Sequence, residues 1–451
     1  MTAVAESFAR EIGRTAQTPL SGLVAREAKR SLFNVLGLAA GAAGHAGVGA
    51  ILAAAGQLGG SRRVPILGRV ERADSHFAAL AMGFAAHVDD FDDTHLATVI
   101  HAGAATLAVV AALAEETTPS GTEALTAFAL GCEAQLRVGV AISPEHYDRG
   151  WHITGTCGVV GAAVAAALMY RFDDAALARA IRLATSMTLG HREAFGTMTK
   201  AFHPGKAAAN GIMAALLARA GADAPADVFE ARNGFAAALS TRFDPAQMLD
   251  GFGDRWELLS NTYKPYPCGI VAHPSIDAAL ALAPRAGDPA HIVSIEARCH
   301  PLVPELMGNP DPTDGLEARF SAIHGIAAAL CDGRVGLAQY ATGRVRRDDV
   351  RAIRAKTRLV ADPSIARDEV RLDVRLTDDT LLQEHVEHAR GSFARPLTDE
   401  ELFSKVEMLV EPRLGPGVAQ SLSDAVRTLE TSASLDALVA LTIPRASVAH
   451  V

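Results

Sequence analysis

Four segments of this 451-residue chain concentrate ionisable side chains between apolar stretches rich in Ala and Gly. The first, residues 87–103, contains four aspartates and three histidines. Charged groups beside a core are costly to desolvate unless they are paired, hydrogen-bonded or used in function. Three interpretations follow: a loop whose Asp and Thr residues cap the next helix, a His/Asp metal site, or a catalytic loop. The catalytic interpretation uses Asp90, Thr94 and His101.

The second segment, residues 146–158, is a polar and aromatic loop that enters a helix rich in Gly and Ala. The small residues Gly155 and Gly158 would let an anion approach the free amides at the start of that helix. His152 and Thr154 would then face the anion. The alternative is that His152 and its neighbour Trp151 only fill a gap between helices.

The third and fourth segments each supply a lysine. Lys200 lies in residues 196–211, interpreted as a loop that leads into a small-residue helix, where a lone ammonium requires an anion. The alternative is a side chain that extends to the surface. In residues 263–277, prolines stiffen a junction that carries Lys264, Cys268 and His273, which could hold ligand groups. The alternative there is a hinge followed by a capped helix.

Composition and motifs exclude several classes of function. The net charge of -9 and the lack of a long basic run argue against nucleic acid or a membrane surface as partner. No phosphate-binding glycine motif and no nucleophile-elbow motif stands in a supporting context. The five cysteines are odd in number and far apart, which predicts neither a disulfide framework nor a Cys-x-x-Cys metal site and favours the reducing cytoplasm.

The start and the most apolar run of the chain predict neither export nor membrane insertion. The first residues lack a basic start followed by an apolar core, so no secretory signal is expected. The most apolar run, residues 158–170, is shorter than the roughly 20 residues that cross a bilayer. What remains is an inventory of Lys, His, Tyr and Asp side chains that suits a small polycarboxylate. Neither a cofactor nor a metal is expected.

The elements that position these segments follow from periodicity. Apolar residues at helical spacing dominate residues 4–217 and predict an almost wholly helical region. Alternation predicts strands at 292–299, 357–361, 369–376 and 381–388, the last two forming a hairpin, with helices at 316–330 and 348–356. We therefore expect a mainly α protein. Its large all-α helical domain is built from both chain ends, residues 1–261 and 392–451, and a smaller α+β lid domain spans residues 262–391.

In their order and spacing, the four segments resemble the MmgE/PrpD superfamily, which includes 2-methylcitrate dehydratase, cis-aconitate decarboxylase and iminodisuccinate epimerase. The similarity covers nearly the whole chain. Its most specific marks are Asp90-Phe-Asp-Asp-Thr94 followed by His101, Gly150-Trp-His152-x-Thr154, Gly196-Thr-Met-Thr-Lys200-x-x-His203-x-Gly205, and Lys264-x-Tyr-Pro-Cys268 followed by His273-Pro.

The resemblance implies a helical domain with an α+β lid, a homodimer, and a metal-free site between lid and helices. Six residues match residues that line the site of the decarboxylase, namely Asp90, Thr94, His101, His152, Lys200 and Lys264. Tyr147 matches a tyrosine proposed to act in the epimerase. The chain also departs from the decarboxylase: Gly269 replaces a second lid histidine, His324 stands near a site tyrosine, and one extra residue separates Thr94 from His101.

From these matches we predict that the chain is a cofactor-independent lyase. The expected reaction is that of a hydro-lyase acting on a small di- or tricarboxylic acid. In this hypothesis His101, oriented by Asp90, moves a proton, while Lys200 and Lys264 neutralise substrate carboxylates. Tyr147 and His152 supply a further proton. The expected substrate-binding residues are Thr94, Lys264, Cys268, His273 and His324. The alternatives are an epimerase or isomerase of a similar dicarboxylate, a decarboxylase, and a non-catalytic protein that only binds carboxylates.

Overall fold

Helices dominate because small and aliphatic residues recur at helical spacing and polar residues cap the helix starts. The computed structural model describes residues 2–445. The Asp74 side chain, for example, accepts a hydrogen bond from the Phe77 amide, which fixes the start of the helix that leads to the first candidate segment. The capping box of Ser120 and Glu123 does the same for the longest apolar helix.

The helices and strands have the following bounds. The α-helices are α1 Val4–Ala16, α2 Gly22–Gly41, α3 Ala46–Leu58, α4 Ser75–Val88, α5 Ala102–Thr117, α6 Gly121–Ile142, α7 Glu145–Asp148, α8 Ile153–Met169, α9 Asp174–Thr185, α10 Met198–Arg219, α11 Phe235–Leu239, α12 Pro245–Leu249, α13 His273–Ala286, α14 Leu302–Met307, α15 Gly315–Ala318, α16 Ala322–Asp332, α17 Thr342–Val345, α18 Asp348–Arg354, α19 Asp399–Leu414, α20 Val418–Arg427 and α21 Asp436–Leu441. Short 3-10 helices occupy Ala42–Gly44, Arg192–Ala194, Glu257–Ser260, Ile270–Ala272, Pro289–His291, Leu337–Tyr340 and Leu429–Thr431. The strands are β1 Val64–Pro65, β2 Arg72–Ala73, β3 Thr94–His95, β4 Asn261–Thr262, β5 Ile292–Cys299, β6 Thr357–Ala361, β7 Val370–Leu376 and β8 Leu381–Val386.

The chain forms two separate hydrophobic cores. The larger core contains α1 to α12 and also the C-terminal helices, up to Leu438. The smaller core runs from Tyr266 to Val386, and we call this part the α+β unit. In the α+β unit a four-stranded sheet of order β6-β5-β7-β8 packs against α13, with α16 on α13; β5 and β6 are parallel and the other pairs antiparallel. The predicted mainly α fold is confirmed. We propose domain bounds at 1–261 with 392–451, and at 262–391.

Close contact between α4 and α10 brings the first and third candidate segments together. Gly83 and Gly205 meet at this contact, and a Cβ added at Gly205 would collide with the Leu80 carbonyl oxygen. Only glycine therefore permits the two backbones to approach this closely. The end of α4, which leads into Asp90, consequently lies beside the start of α10, which carries Lys200.

A short antiparallel pair joins the first segment to the fourth. Strand β3 pairs with β4, with Thr94 opposite Thr262, and the Thr262 hydroxyl donates to the Thr94 carbonyl at 2.5 Å. This pairing fixes Lys264, two residues after β4, beside the Asp90 loop. The expected segments are thus brought together by backbone pairing as well as by helix packing.

Two predicted boundaries were wrong. Helix α10 begins at Met198, because the Thr197 side chain caps it, whereas Gly196 and Pro204 had suggested a loop up to Gly205. The predicted helix 316–330 is two helices, because the chain turns after Ala318 and Ser321 caps a new start. The predicted bounds of β5 and β6 are confirmed.

Helix α6 and the bent pair α2–α3 are long and apolar enough to cross a membrane by length and composition. In α6, 89% of the most apolar window is buried inside the protein, which is the position of a core helix.

Candidate active site

A buried cavity lies between the helical core and the α+β unit. The helical part contributes ionisable and polar side chains together with Val99 and Phe195, and the α+β unit contributes only glycine and apolar side chains. The lining residues are Asp90, Thr94, Val99, His101, Tyr147, His152, Phe195, Lys200, Lys264, Gly269, Ile270, Val271, Leu306, Met307 and Phe320. Seven of the sequence-predicted site residues therefore surround one cavity, although they come from all four candidate segments.

Two lysines converge on one carboxylate in this cavity. The Lys200 ammonium donates to Asp90 Oδ1 at 2.7 Å, and the Lys264 ammonium donates to the same oxygen at 2.9 Å. Lys264 also donates to the Asp90 backbone carbonyl at 3.0 Å. All three side chains are buried. Asp90 therefore holds two cations close together at the cavity wall.

The position of Asp90 depends on an unusual backbone conformation. Its φ of 48° lies in the left-handed region, which Asp tolerates better than most residues. Burial alone would raise the pKa of the Asp90 carboxyl, but the ammonium groups of Lys200 and Lys264 hold that pKa well below its ordinary value. Asp90 is therefore an ionised anchor for the two lysines and not a proton carrier near neutral pH.

His101 is oriented by Asp92, so the predicted orientation by Asp90 was wrong. His101 Nδ1 lies 2.9 Å from the Asp93 backbone carbonyl and 3.2 Å from Asp92 Oδ1. Since a carbonyl and a carboxylate can only accept, Nδ1 carries a proton and Nε2 keeps its lone pair. Asp90 cannot take this role because its carboxylate binds the two lysines.

Asp92 is shared with a second histidine that the sequence did not single out for a role. His87 Nδ1 contacts Asp92 Oδ2 at 2.7 Å, and the His87 and His101 rings lie 4.7 Å apart. Burial lowers the pKa of His87 to about 3 against the opposing effect of Asp92. His87 is thus a neutral donor that fixes the far oxygen of the carboxylate and, through it, the His101 ring.

His87, Asp92 and His101 also offer ligand-type atoms within 4.8 Å of one another. A divalent ion bound there would replace the hydrogen bond between His87 and Asp92 and the 3.2 Å contact of the Asp92 carboxylate with His101. We therefore propose that this group serves proton transfer.

Two further predicted residues line the cavity in neutral form. Burial and the nearby Lys200 ammonium lower the pKa of His152 well below its ordinary value. His152 Nδ1 meets His203 Nδ1 at 2.8 Å, so one of these nitrogens must donate and the other accept. Burial raises the pKa of Tyr147 to about 12, although the Arg192 guanidinium stacks on its ring at 4.3 Å. The Tyr147 phenol is therefore neutral and a weak acid, which gives up its proton only to a strong base such as a departing hydroxide.

Lys200 lies beside a stacked pair of aromatic rings. Its ammonium is 5.3 Å from the ring centre of Phe195, in the helical part, and 5.1 Å from that of Phe320, in the α+β unit. The two rings stack at 5.4 Å. Burial lowers the pKa of Lys200 in spite of the Asp90 carboxylate. An added anion would therefore bind to a cation that is poorly solvated, which strengthens their attraction.

Three predicted substrate-binding residues do not line the cavity. Cys268 is buried behind it, and burial raises the pKa of its thiol to about 12. His273 Nε2 lies 3.3 Å from the Cys268 carbonyl, and His324 Nε2 lies 2.9 Å from the Gln339 carbonyl. These histidines stabilise turns inside the α+β unit, so their assignment as substrate contacts is corrected.

Two cations outside the cavity hold the loops that form it. The buried Lys405 ammonium donates to the carbonyls of Phe91 and Lys264, at 2.7 and 2.9 Å, and so ties the Asp90 loop to the Lys264 segment. Arg319, in the α+β unit, donates to Asp89 Oδ1 at 2.8 Å and to the Pro267 carbonyl at 3.1 Å. Neither of these contacts was predicted from the sequence. For Lys405 a signal existed, since it lies in the apolar stripe of α19 with Leu402, Val406 and Leu409.

Buried histidines make the folded state sensitive to acid. Burial lowers the pKa of His146 and of His203 from 6.5 to about 4, and that of His273 to about 3. The unfolded chain therefore binds more protons than the folded chain between pH 6.5 and 4, so stability must fall as the pH falls through this window. For His146 alone, the difference between 6.5 and about 4 corresponds to about 3 kcal/mol.

We expect the melting temperature to fall progressively from pH 6.5 to pH 4.5, and His146→Gln to flatten this dependence. His146 lies outside the cavity and contacts the Thr156 hydroxyl at 2.7 Å. Differential scanning calorimetry across the pH range measures the effect, with the surface variant His388→Gln as the control for substitution. A melting temperature independent of pH in this window would contradict the assignment.

The fold and the site together define a class: a mainly helical enzyme whose buried, ionisable cleft is covered by a small α+β unit. The chain belongs to the MmgE/PrpD family. The MmgE/PrpD N-terminal domain matches residues 6–248, and the MmgE/PrpD C-terminal domain matches residues 266–431.

Relatives of known activity agree with this assignment. The chain is 28% identical to the cis-aconitate decarboxylase of Mus musculus over 453 residues, covering 95% of this chain and 91% of the relative. It is 28% identical to the cis-aconitate decarboxylase of Homo sapiens, over 78% and 76% of the two chains. The cis-aconitate decarboxylase of Aspergillus terreus is 23% identical, over 78% of each chain. Family and relatives indicate a lyase.

Proposed function

We propose that this chain is a cofactor-independent lyase, specifically a hydro-lyase that acts on a small di- or tricarboxylic acid. The observation that supports this most directly is the meeting of two ammonium groups and an oriented imidazole, those of Lys200, Lys264 and His101, at one cavity. Removing a proton next to a carboxylate leaves an electron-rich intermediate. Fixed cations stabilise such an intermediate more in the transition state than in the ground state.

The lysines have donors to spare for a substrate. An ammonium has three N–H donors. Among the described residues 2–445, Lys200 hydrogen bonds only to Asp90 Oδ1, whereas Lys264 uses two donors, on Asp90 Oδ1 and the Asp90 carbonyl. Two donors on Lys200 and one on Lys264 are thus available to carboxylate oxygens. The expected ground-state complex has a substrate carboxylate bridging the two ammoniums.

His101 and Tyr147 divide the proton chemistry. His101 Nε2 is unprotonated because Nδ1 donates to the Asp93 carbonyl, with the Asp92 carboxylate 3.2 Å away, and it takes the proton from the carbon next to the bound carboxylate. The bond from the next carbon to its hydroxyl then breaks, and the neutral Tyr147 phenol protonates the departing oxygen to give water. The proton on His101 finally returns to the Tyr147 phenolate through solvent. The products are an unsaturated acid and water.

Two other outcomes use the same groups. Tyr147 and His101 both line the cavity, one with a proton and the other with a lone pair, so a proton removed by His101 and another delivered by Tyr147 from the opposite face would give an epimerase or isomerase. The curated relatives are named cis-aconitate decarboxylases, which favours loss of a carboxylate from a tricarboxylic acid as the next alternative.

One experiment separates these functions. The protein is incubated with a panel of hydroxylated and unsaturated di- and tricarboxylic acids in deuterated water, and products are followed by ultraviolet absorbance, NMR and release of carbon dioxide. The proposed hydro-lyase gives a new absorbing alkene. Deuterium at carbon without an alkene indicates an epimerase, carbon dioxide a decarboxylase, and saturable binding without turnover a carboxylate-binding protein. Any of the last three results overturns the hydro-lyase assignment.

We further propose that the enzyme acts as a homodimer in the cytoplasm. The dimer rests on the family resemblance. The location is supported by the cysteines, which are free thiols in the described structure, as expected for a reducing compartment. Sedimentation of the purified chain tests the dimer, since a monomer at micromolar concentration would contradict it.

A further inference from the structure

The cavity has two chemically different walls. All of its ionisable side chains except Lys264 come from the helical core, whereas the α+β unit contributes Gly269, Ile270, Val271, Leu306, Met307 and Phe320. The second set provides no side-chain hydrogen-bond donor. We call these six residues, together with Val99, the apolar wall. A ligand that fills the cavity must place polar atoms against one wall and hydrocarbon against the other.

The apolar wall depends on a missing side chain at position 269. A Cβ built on Gly269 would collide with the Met307 sulfur, with the Met307 Cε at 3.1 Å. Glycine therefore leaves the space that the Met307 side chain fills. Met307 is 1% exposed in the structure. A thioether is an adaptable apolar surface, so this position suits hydrocarbon of irregular shape.

Val99 extends the apolar wall from the helical side. Its φ of 56° lies in the left-handed region, which a β-branched residue rarely adopts. The conformation is held by the loop itself, because the Val99 amide donates to the His95 carbonyl at 2.7 Å. Strained residues persist where the surrounding structure determines them, and they are frequent at ligand sites. The loop thus keeps an apolar side chain on the side of the cavity that also carries most of the ionisable groups.

The charge of the cavity limits how many carboxylates it can neutralise. Its ionised lining groups are two ammoniums and one carboxylate, those of Lys200, Lys264 and Asp90, which leaves a surplus of one positive charge. The Asp92 carboxylate beside His101 does not line the cavity, and its negative charge adds nothing that could neutralise a substrate carboxylate. Each further carboxylate would be buried with incomplete compensation, which is costly. The surplus charge matches one carboxylate, which takes one donor from each ammonium; a second can use only the one remaining ammonium donor, and a third has neither a charge nor a donor.

We infer that the substrate is a carboxylic acid with no more than two carboxylates and with an alkyl or aryl substituent that contacts the apolar wall. This inference rests on the proposed lyase function and narrows its substrate class. The carboxylate next to the proton that His101 removes binds Lys200 and Lys264, and the substituent lies against Met307 and Val99.

Isothermal titration calorimetry of the full chain with four probes tests this. Malate, 2-methylmalate and 2-isopropylmalate share a charge and differ only in hydrocarbon, and citrate adds a carboxylate. Because each buried methylene strengthens binding several-fold, we expect 2-isopropylmalate to bind at least about tenfold more tightly than malate. Citrate should bind no more tightly than malate. Equal affinities for malate and 2-isopropylmalate, or tighter binding of citrate than of both, would overturn the inference.

A variant pair ties the preference to the apolar wall. Met307→Gln keeps the size of the side chain and adds polar atoms, so the ratio of the 2-isopropylmalate and malate affinities should fall at least about fivefold. Met213→Gln is the matched control, since Met213 is 38% exposed on the outer part of α10, and it should leave the ratio unchanged. An unchanged ratio in Met307→Gln contradicts the inference. If the acids bind but 2-isopropylmalate is not preferred over malate, only this inference is contradicted. If none of the acids binds, the proposed carboxylate site is contradicted as well.

Discussion

Replacing Asp92 by Asn is expected to lower kcat about 1000-fold while the chain stays folded. The carboxylate of Asp92 contacts His101 Nδ1 at 3.2 Å and His87 Nδ1 at 2.7 Å. An amide in its place lacks the negative charge that stabilises the imidazolium formed when His101 takes a proton, and its NH2 would oppose the N–H of one imidazole. His101 would then be a weaker and less well oriented base, although the Asp93 carbonyl still accepts from its Nδ1. Loss of the orienting carboxylate in comparable acid–base sites costs about four orders of magnitude.

The neighbouring carboxylate provides a matched control. Asp93 is equally buried, but its Oδ2 accepts from Ser31 at 3.0 Å and from Asn261 at 2.7 Å, away from His101. Burial and the nearby Asp92 charge raise the pKa of Asp93, so Asn replaces a carboxyl that is easily protonated. We expect Asp93→Asn to keep kcat within about tenfold. Single-turnover kinetics on the substrate found by the panel measure both variants, and similar losses in the two would show that Asp92 has no special role.

The role of each aspartate could not be predicted from residue type. Four carboxylates, those of Asp89, Asp90, Asp92 and Asp93, lie within five positions, and side-chain chemistry does not distinguish them. The left-handed φ at Asp90 turns its carboxylate towards Lys200 and Lys264 and leaves Asp92 to face the histidines. That turn depends on tertiary contacts, because it is held by lysines 110 and 174 positions away. The sequence therefore predicted that this segment belongs to the site, but not which aspartate pairs with the lysines and which faces the histidines.

Local periodicity explains which parts of the fold were predicted. Strand β5 and the helical region follow from runs of alternating or helically spaced apolar residues, which depend little on distant parts of the chain. The start of α10 was missed because Gly196 and Pro204 are strong breakers by propensity, and packing against α4 overrides them. Lys405 was missed for a different reason, since the Phe91 carbonyl that it binds is 314 residues away in sequence.

Replacing Lys200 by Met is expected to lower kcat/KM about 1000-fold. The variant removes two of the three free ammonium donors at the cavity and leaves Asp90 neutralised only by Lys264. The surplus positive charge disappears, so a substrate carboxylate meets a site without net charge, and the developing negative charge in the transition state loses one of the two cations at the cavity. Removing one such group from a buried site costs about 3 to 4 kcal/mol, which corresponds to two to three orders of magnitude in rate.

Lys206→Met distinguishes this effect from a general effect on α10. Lys206 lies on the same helix, but its ammonium contacts His76 Nε2 at 3.2 Å outside the cavity. Both variants lose one lysine from α10, so they match in composition and helix propensity, and only Lys200→Met should lose activity. Melting temperatures within a few degrees of the wild type would show that the fold is intact. If the two variants had equal kcat/KM, the electrostatic role of Lys200 would be refuted, because its removal would leave the transition state as well stabilised as before.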